Sequence, residues 1–508
     1  MDLSAAIQHT RQQLETTPEH PQTSQEYQTL LRKAQKALKK IRRNAQSNRD
    51  QHLDILLKRY GMLEDDKMQK IIRQLIRGEA TKRCYRKLKW IMKPPKPGVT
   101  FVEQQTQDGS TETLYDRTTL EQAILKRNQQ HFNQCAGTPF TVGRLRKLNW
   151  ASDSPLADSI LNGTTELDYL SNDQLVQHVL KNCKQTGCNI SDHITSKDLQ
   201  DLFRKWREST TTSPSGRHLG IYRAIFNNTQ NKNQKITIAD EISQLINLII
   251  NNGFGLDRWR QVTNMMIHKL DGSYNINKLR VIHIFEAEYN GLLGILFNRR
   301  TLYEAETNQL LNNNQWGGCP HHQAEDALML KELTYNITNN TKTTLVTFDN
   351  DATGCFDRVP CSVAMLASRR LGATKHMCQM QADTLQNIRH QLRTAFGISS
   401  MSYTSADDCE IHGQGQGSRA GPPTWVFVSS LLLDCMNQLA TGLHFTCPRQ
   451  DIHHQQTNDA FVDDVTGYRN QFTNELQGMH VENKVIHLMQ QDATLWSCLL
   501  HISGGKLA

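Results

Sequence analysis

Long apolar runs are missing from this chain. No stretch approaches the ~18 consecutive apolar residues of a membrane-spanning helix, and the opening MDLSAAIQHTRQQLE lacks the apolar core of a secretory signal. Paired cysteines are missing too. The 12 cysteines are scattered and none forms a C-x-x-C pair, which excludes a disulfide framework and points to a reduced, intracellular protein, nuclear or cytoplasmic. Cys183, Cys188 and His193 are the nearest thing to a zinc cluster, but their spacing fits no common finger. With 13 prolines and 37% hydrophobic residues in 508, the chain has room for folded domains and a sizeable core, though it is polar overall.

Charge is unevenly spread. Leu31 to Lys93 holds 20 Lys or Arg against 6 Asp or Glu, a net of +14; the whole chain carries +8, so the rest carries 8 − 14 = −6. A polar start (1–26) precedes two segments with apolar residues at helical spacing, about 27–60 and 65–92. In TKRCYRKLKW (81–90), Lys82, Arg83, Arg86, Lys87 and Lys89 interleave with Tyr85 and Trp90. That pattern suits phosphate contact plus base stacking on nucleic acid, although a solvated, highly charged helix would read the same way. Pro94, Pro95, Pro97 and Gly98 close this basic helical arm, 1–98. A linker or extension follows over 99–200, with a helix expected near 120–132 and an exposed polar loop at 151–172.

At 213–222, SPSGRHLGIY is a punctuated turn; a helix is expected over 238–251. Two apolar runs in 259–285 flank Asp271-Gly272 and predict a strand–turn–strand unit. Lys269 and Arg280 lie at its inner ends, where both can face one anion or stand as ordinary exposed cations. Helices are expected from Glu286 to about Leu311 and over 323–335. Next, LVTFDNDATGCFDRVP (345–360) begins as a buried strand and carries Asp349 and Asp351 on one face. Buried acids need a cation or a basic partner. HGQGQGSRAGPP (412–423) is a glycine-rich loop entering an apolar helix, and NDAFVDDVTGY (458–468) predicts a tight hairpin with Asp463 and Asp464 at its tip. Two-metal phosphoryl chemistry uses carboxylates brought from separate elements in this way.

Taken in order, these stretches resemble the reverse transcriptases of non-LTR (LINE-like) retrotransposons from about Ser213 onward. SPSGRHLG is similar to the first fingers motif, WRQVTNMMIHK and KLRVIHIFEAEYN to the fingers strands, and NQWGGCPHHQAEDAL to the Q-x-G…DA segment. DATGCFDRV resembles motif A, HGQGQGSRAGP motif B and FVDD the motif C box. Motif B departs from the usual Ser-Pro by having Gly421-Pro422. The resemblance implies an α+β, right-hand polymerase architecture: fingers over 201–340 and a palm over 341–508, with a ferredoxin-like sheet covered by helices on one face. No thumb is expected, as in a C-terminally truncated element.

By the same resemblance, Asp351, five residues before Phe356, is a metal ligand with Asp463 and Asp464. They would hold two Mg²⁺ ions, or Mn²⁺, and Asp349 is expected to be a hydrogen-bonded cap or loop acid. Lys269 and Arg280 would contact the triphosphate, Phe356 would exclude a 2′-hydroxyl, and Gln416 and Gly417 would frame the nascent base pair. The implied partners are an RNA template, a DNA primer and deoxynucleoside triphosphates. Two alternatives stay open: a catalytically inactive nucleic-acid-binding remnant, and an RNA-dependent RNA polymerase, against which Phe356 argues.

Overall fold

The structure is a computed structural model that describes residues 98–106, 108–186, 188–206, 214–215, 219, 222, 238–269, 273–406, 409–447, 453–470 and 479–507. The expected helices of the basic arm, with Lys82, Arg83, Tyr85, Arg86, Lys87, Lys89 and Trp90, lie outside these residues, as does most of the 213–222 turn. In chain order the strands are β1 (Val102–Gln105), β2 (Thr111–Leu114), β3 (Gln261–His268), β4 (Leu279–Ile284), β5 (Leu345–Asp351), β6 (Arg389–Thr394), β7 (Gly397–Tyr403), β8 (Leu443–Thr446), β9 (His453–Gln456), β10 (Asn458–Phe461) and β11 (Asp464–Asn470). The fold is mixed α+β. Among the described residues no helix is long and apolar enough to cross a membrane.

The chain divides into two compact units, each drawn from separate stretches. The first takes the described residues up to Asn128, Asp192–Ile295 and Asn387–Thr404. Its main sheet has the order β4-β3-β6-β7. The period-two pattern of LRVIHI buries Leu279, Val281 and His283 and so makes β4 a strand antiparallel to β3. The turn between them, expected at Asp271-Gly272, lies outside the described residues. β3 also runs parallel to β6, which a parallel pair achieves only through a long crossover. Helices Ser196–Lys205 and Ile238–Asn251 pack together in this unit. The first opens on a Thr195–Asp198 capping box, and the Asn247 amide holds both backbone groups of Ile194, at 2.6 and 2.8 Å.

The second unit takes Gln129–Ser191, Leu296–Gln386 and Ser405–Ala508. Its central helix, Gly421–Leu439, is apolar on every side and buried along most of its length, as a core helix must be. Helix Cys361–Arg370 packs against it. Beside them stands a three-stranded antiparallel sheet of order β10-β11-β5. Adjacent side chains of β5 point to opposite faces. On one face, Asn350 accepts a hydrogen bond from Trp496 Nε1 of helix Met479–Ile502 at 3.1 Å, and the Phe348 ring lies over Gly467. On the other, Lys331 of helix Ala324–Thr341 reaches Asp349 and Thr466, at 3.0 Å each.

Four expectations change. Helices flank this sheet on both faces rather than one, because adjacent polar residues of β5 each recruit a helix. β5 is half-buried rather than buried, with Asp349 its one exposed residue. The polar stretch 151–172 is not an exposed loop: Pro155–Asn162 is helical and buries Ala157, Ile160 and Leu161. Its signals were ordinary ones, a Ser154 N-cap, proline at the first turn and Gly163 in the left-handed region at φ 69°. The helix expected over 286–311 runs from Ala287 to Thr307, and its middle, Gly294–Leu302, has the wider i→i+5 winding.

A Cβ on Gly467 would sit 2.0 Å from the Phe348 ring. Gly467→Ala should therefore destabilise the protein by about 1–3 kcal/mol through overpacking. Equilibrium denaturant unfolding measures this; an unchanged midpoint would mean that the ring is free to move aside.

Candidate active site

Register brings the acids together. β5 and β11 pair so that Asp351 stands opposite Asp464, Asn350 opposite Val465 and Asp349 opposite Thr466. β10 and β11 close a hairpin with Phe461 opposite Asp464, leaving Val462 and Asp463 as its two-residue turn. Asp463 is then tied to the first strand by its own backbone, since Ala352 N donates to Asp463 O at 3.0 Å. Three acidic residues thus lie at one end of the sheet, two on the facing strands β5 and β11 and one in the β10–β11 turn.

The turn itself is held under constraint. Val462 has φ 61°, costly for a β-branched residue. Trp425, on the helix that follows the glycine-rich loop, donates its indole N–H to Val462 O at 2.7 Å. Gly317 lies against the turn so closely that a Cβ there would be 2.3 Å from Val462 N. The segment before it runs along β10: Trp316 N donates to Ala460 O and Ala460 N to Asn314 O, both at 2.8 Å. Gln315, fully buried, anchors this segment to the central helix through Ser429 Oγ at 2.6 Å.

Electrostatics separates the acids. Asp349 bonds Thr466 and pairs with Lys331, and these contacts lower its pKa, led by the Thr466 hydroxyl. It is hydrogen-bonded as expected, but within a strand rather than in a cap or loop. Asp463 is the opposite case. Burial raises its pKa, and the charges of Asp351 and Asp464 raise it further, opposed by its own backbone N–H and by the Cys355 thiol. Cys355 is itself held protonated by burial and by the surrounding carboxylates, so it acts as a donor and not as a thiolate. Among the described residues no Lys or Arg forms an ion pair with Asp351, Asp463 or Asp464.

The glycine-rich loop is fastened onto the segment after Asp351. Gln414 N donates to Phe356 O at 2.7 Å and Gly413 N to Val359 O at 3.2 Å. Gly413, at φ 91°, would place a Cβ 2.7 Å from Asp357 backbone atoms, so only glycine fits. Gln416 donates its amide to Asp357 Oδ2 at 3.3 Å, and His131 Nε2 meets the same oxygen at 3.1 Å. Phe356 is half-buried, its ring 3.7 Å from where a Cβ of Gly421 would stand. Gly417 is exposed at φ 110°.

Lys269 and Arg280 belong to the other unit. Arg280 is opposite Ile267, and Lys269 N bonds Lys278 O at 3.3 Å just past the end of β3. By strand alternation the two exposed cations share one face of the hairpin.

Sequence reasoning missed Lys331, His131, Cys355 and Trp425. Lys331 and Trp425 sit on helices that were expected, but nothing local shows which side chain meets the acids. His131 is 226 residues from its partner Asp357, a distance no local pattern bridges. Gly317 was open to discovery, because a paired glycine marks close backbone approach.

Among the described residues no group of three or more His, Cys, Asp or Glu side chains is placed to hold a metal ion as the side chains stand, neither Cys183, Cys188 and His193 nor Asp351, Asp463 and Asp464. The described cysteines are all free thiols. Asp351, Asp463 and Asp464 bring oxygen donors only and, among the described residues, have no Lys or Arg ion-pair partner. That fits Mg²⁺, which in phosphoryl-transfer sites takes one or two carboxylates and completes its shell with substrate phosphates and water. No protein-family model matches the chain, and no curated protein matches it in sequence.

The raised pKa of Asp463 has a consequence for stability. Its folded value lies above its unfolded one, so the folded state binds its proton more tightly. Stability falls as pH rises from the ordinary carboxylate range through that raised value. At neutral pH in EDTA, Asp463→Asn should raise Tm by on the order of 1–3 °C. Added Mg²⁺ should stabilise the wild type and not the variant. Scanning calorimetry reads both; a variant less stable than wild type in EDTA would refute the charge-repulsion account.

Proposed function

We propose that this chain carries a reverse-transcriptase-type nucleotidyltransferase site, adding deoxynucleotides to a primer 3′-hydroxyl on an RNA template. The observation that carries the reading is the pairing of Asp351 with Asp464 across two strands, with Asp463 in the adjoining turn and, among the described residues, no Lys or Arg ion-paired to them. The ordered sequence motifs supply the reaction class. In this reading the unit holding β5, β10 and β11 acts as the palm, and the β3–β4 hairpin belongs to the fingers.

Asp351 and Asp463 would be the principal metal ligands, with Asp464 weaker. When bound, two Mg²⁺ ions would lower the pKa of the attacking hydroxyl and offset charge on the departing pyrophosphate. The protein's own contribution is placement. Trp425 and Gly317 fix the turn, so the Asp463 carboxylate needs little reorganisation when the reaction begins. Lys269 and Arg280 supply exposed cations suited to triphosphate oxygens. Phe356 offers an aromatic edge for the sugar, and this favours deoxynucleotides over the RNA-polymerase alternative. Gln416, oriented by Asp357, would border the nascent base pair.

Primer extension on an RNA template with Mg²⁺ and deoxynucleotides tests the reading. Wild type should extend the primer, and Asp463→Ala should lose at least about 100-fold. Equal extension by both proteins, or none by wild type, would reject it. In the same assay, Phe356→Ala should gain ribonucleotide incorporation. A variant that still excludes ribonucleotides would remove Phe356 from the gate without touching the metal assignment.

A further inference from the structure

A cavity lies within the unit that carries the acids, built from residues the proposed reaction does not use. Its volume is about 740 Å³, and its lining includes Arg358, His501 and Lys506, within the usual range for small-ligand sites. Arg358 donates only to neutral acceptors: Gln134 Oε1 at 2.5 Å, Gln134 O at 3.3 Å and Gly504 O at 3.3 Å. Burial lowers its pKa, and among the described residues no carboxylate pairs with it. The acid in the lining, Asp173, is already committed as a helix N-cap, accepting from Leu175 N at 2.8 Å and Val176 N at 3.4 Å. Pro139, Val142, Leu175 and Ile502 supply apolar wall.

We infer that this cavity binds a small organic phosphate with a flat apolar body, of the nucleoside monophosphate class. The cations decide the anionic part. Arg358 offers a planar fork and Lys506 a mobile point charge, a combination suited to a phosphate dianion. A carboxylate would leave part of that positive charge unanswered. The apolar walls decide the rest, since inorganic phosphate alone would leave them wet. The lining shares no residue with the carboxylate cluster, although Lys506 O accepts from Thr353 N at 2.8 Å two residues after Asp351, and the binding proposed needs no divalent metal.

Adenosine 5′-monophosphate is the probe, with the full chain in EDTA so that a metal-dependent nucleotide site is silent. Cys498 lines the cavity and is exposed, while exposed Cys447 is not among its lining residues and serves as control. Saturating probe should slow iodoacetamide modification of Cys498 about tenfold, read by peptide mass spectrometry, and leave Cys447 unchanged. Calorimetry should show inorganic phosphate and adenosine each binding at least about tenfold more weakly than the monophosphate. Lys506→Glu, at an exposed position, should weaken the probe about tenfold. Arg358→Lys, which keeps charge but loses the fork, should weaken it too. Unprotected Cys498, or protection undiminished in Lys506→Glu, overturns the assignment. Inorganic phosphate binding as tightly as the probe overturns the nucleotide class. None of these readouts depends on polymerase activity.

Discussion

Strand register is the constraint on which the acidic site depends. A one-residue slip between β5 and β11 would turn Asp351 to the other face and scatter the carboxylates. The protein guards against this from the side away from the acids. Phe348 fits over Gly467, and Asn350 accepts from Trp496, so the packing of Met479–Ile502 holds the same register that the acids need. The Ala352 N to Asp463 O bond then joins the hairpin turn to the end of β5. Core packing and site geometry are thus two readings of one ladder.

Asp349 and Asp351 show how that ladder sorts like residues. They lie two apart on one face, yet they meet different chemistry. Asp349, exposed on the edge strand β5, pairs with Lys331 of the neighbouring helix. Asp351 ends the strand, beside the turn, and meets further acids instead. That exposed ion pair answers the charge of Asp349. At the end of the sheet no described lysine or arginine plays that part, and burial, joined by the charges of Asp351 and Asp464, raises the pKa of Asp463.

Much of this was legible in the sequence. The β-branched run of 345–348, the hairpin around Asp463 and the Pro-started helix after the glycine loop follow from local chemistry, and each is observed. Counting back from Phe356 set Asp351 apart from Asp349, and the two do differ in surroundings, Asp351 standing opposite Asp464 and Asp349 pairing with Lys331; the metal-ligand role of Asp351 is a proposal. What local patterning could not reach was long-range. The helix at Pro155–Asn162 had its caps in plain view, but its buried residues matter only once a partner surface exists. The two-sided cover of the β5 sheet depends on which helix each polar side chain recruits, and composition does not encode that. The basic arm lies outside the described residues, so its seven proposed contacts rest on pattern alone.

The glycine-rich loop gains meaning from the same comparison. Glycine there is usually explained by freedom, yet at Gly413 it is contact that requires it: the loop lies directly on the Asp357 backbone. Asp357 is buried, and its Oδ1 makes no hydrogen bond, while Oδ2 takes both His131 and Gln416. A buried carboxylate bonded through one oxygen is a costly arrangement to maintain. It fits a residue kept for orientation, because Asp357 couples the segment that carries Asp351 to the side chain of Gln416. Two segments distant in sequence therefore move as one piece.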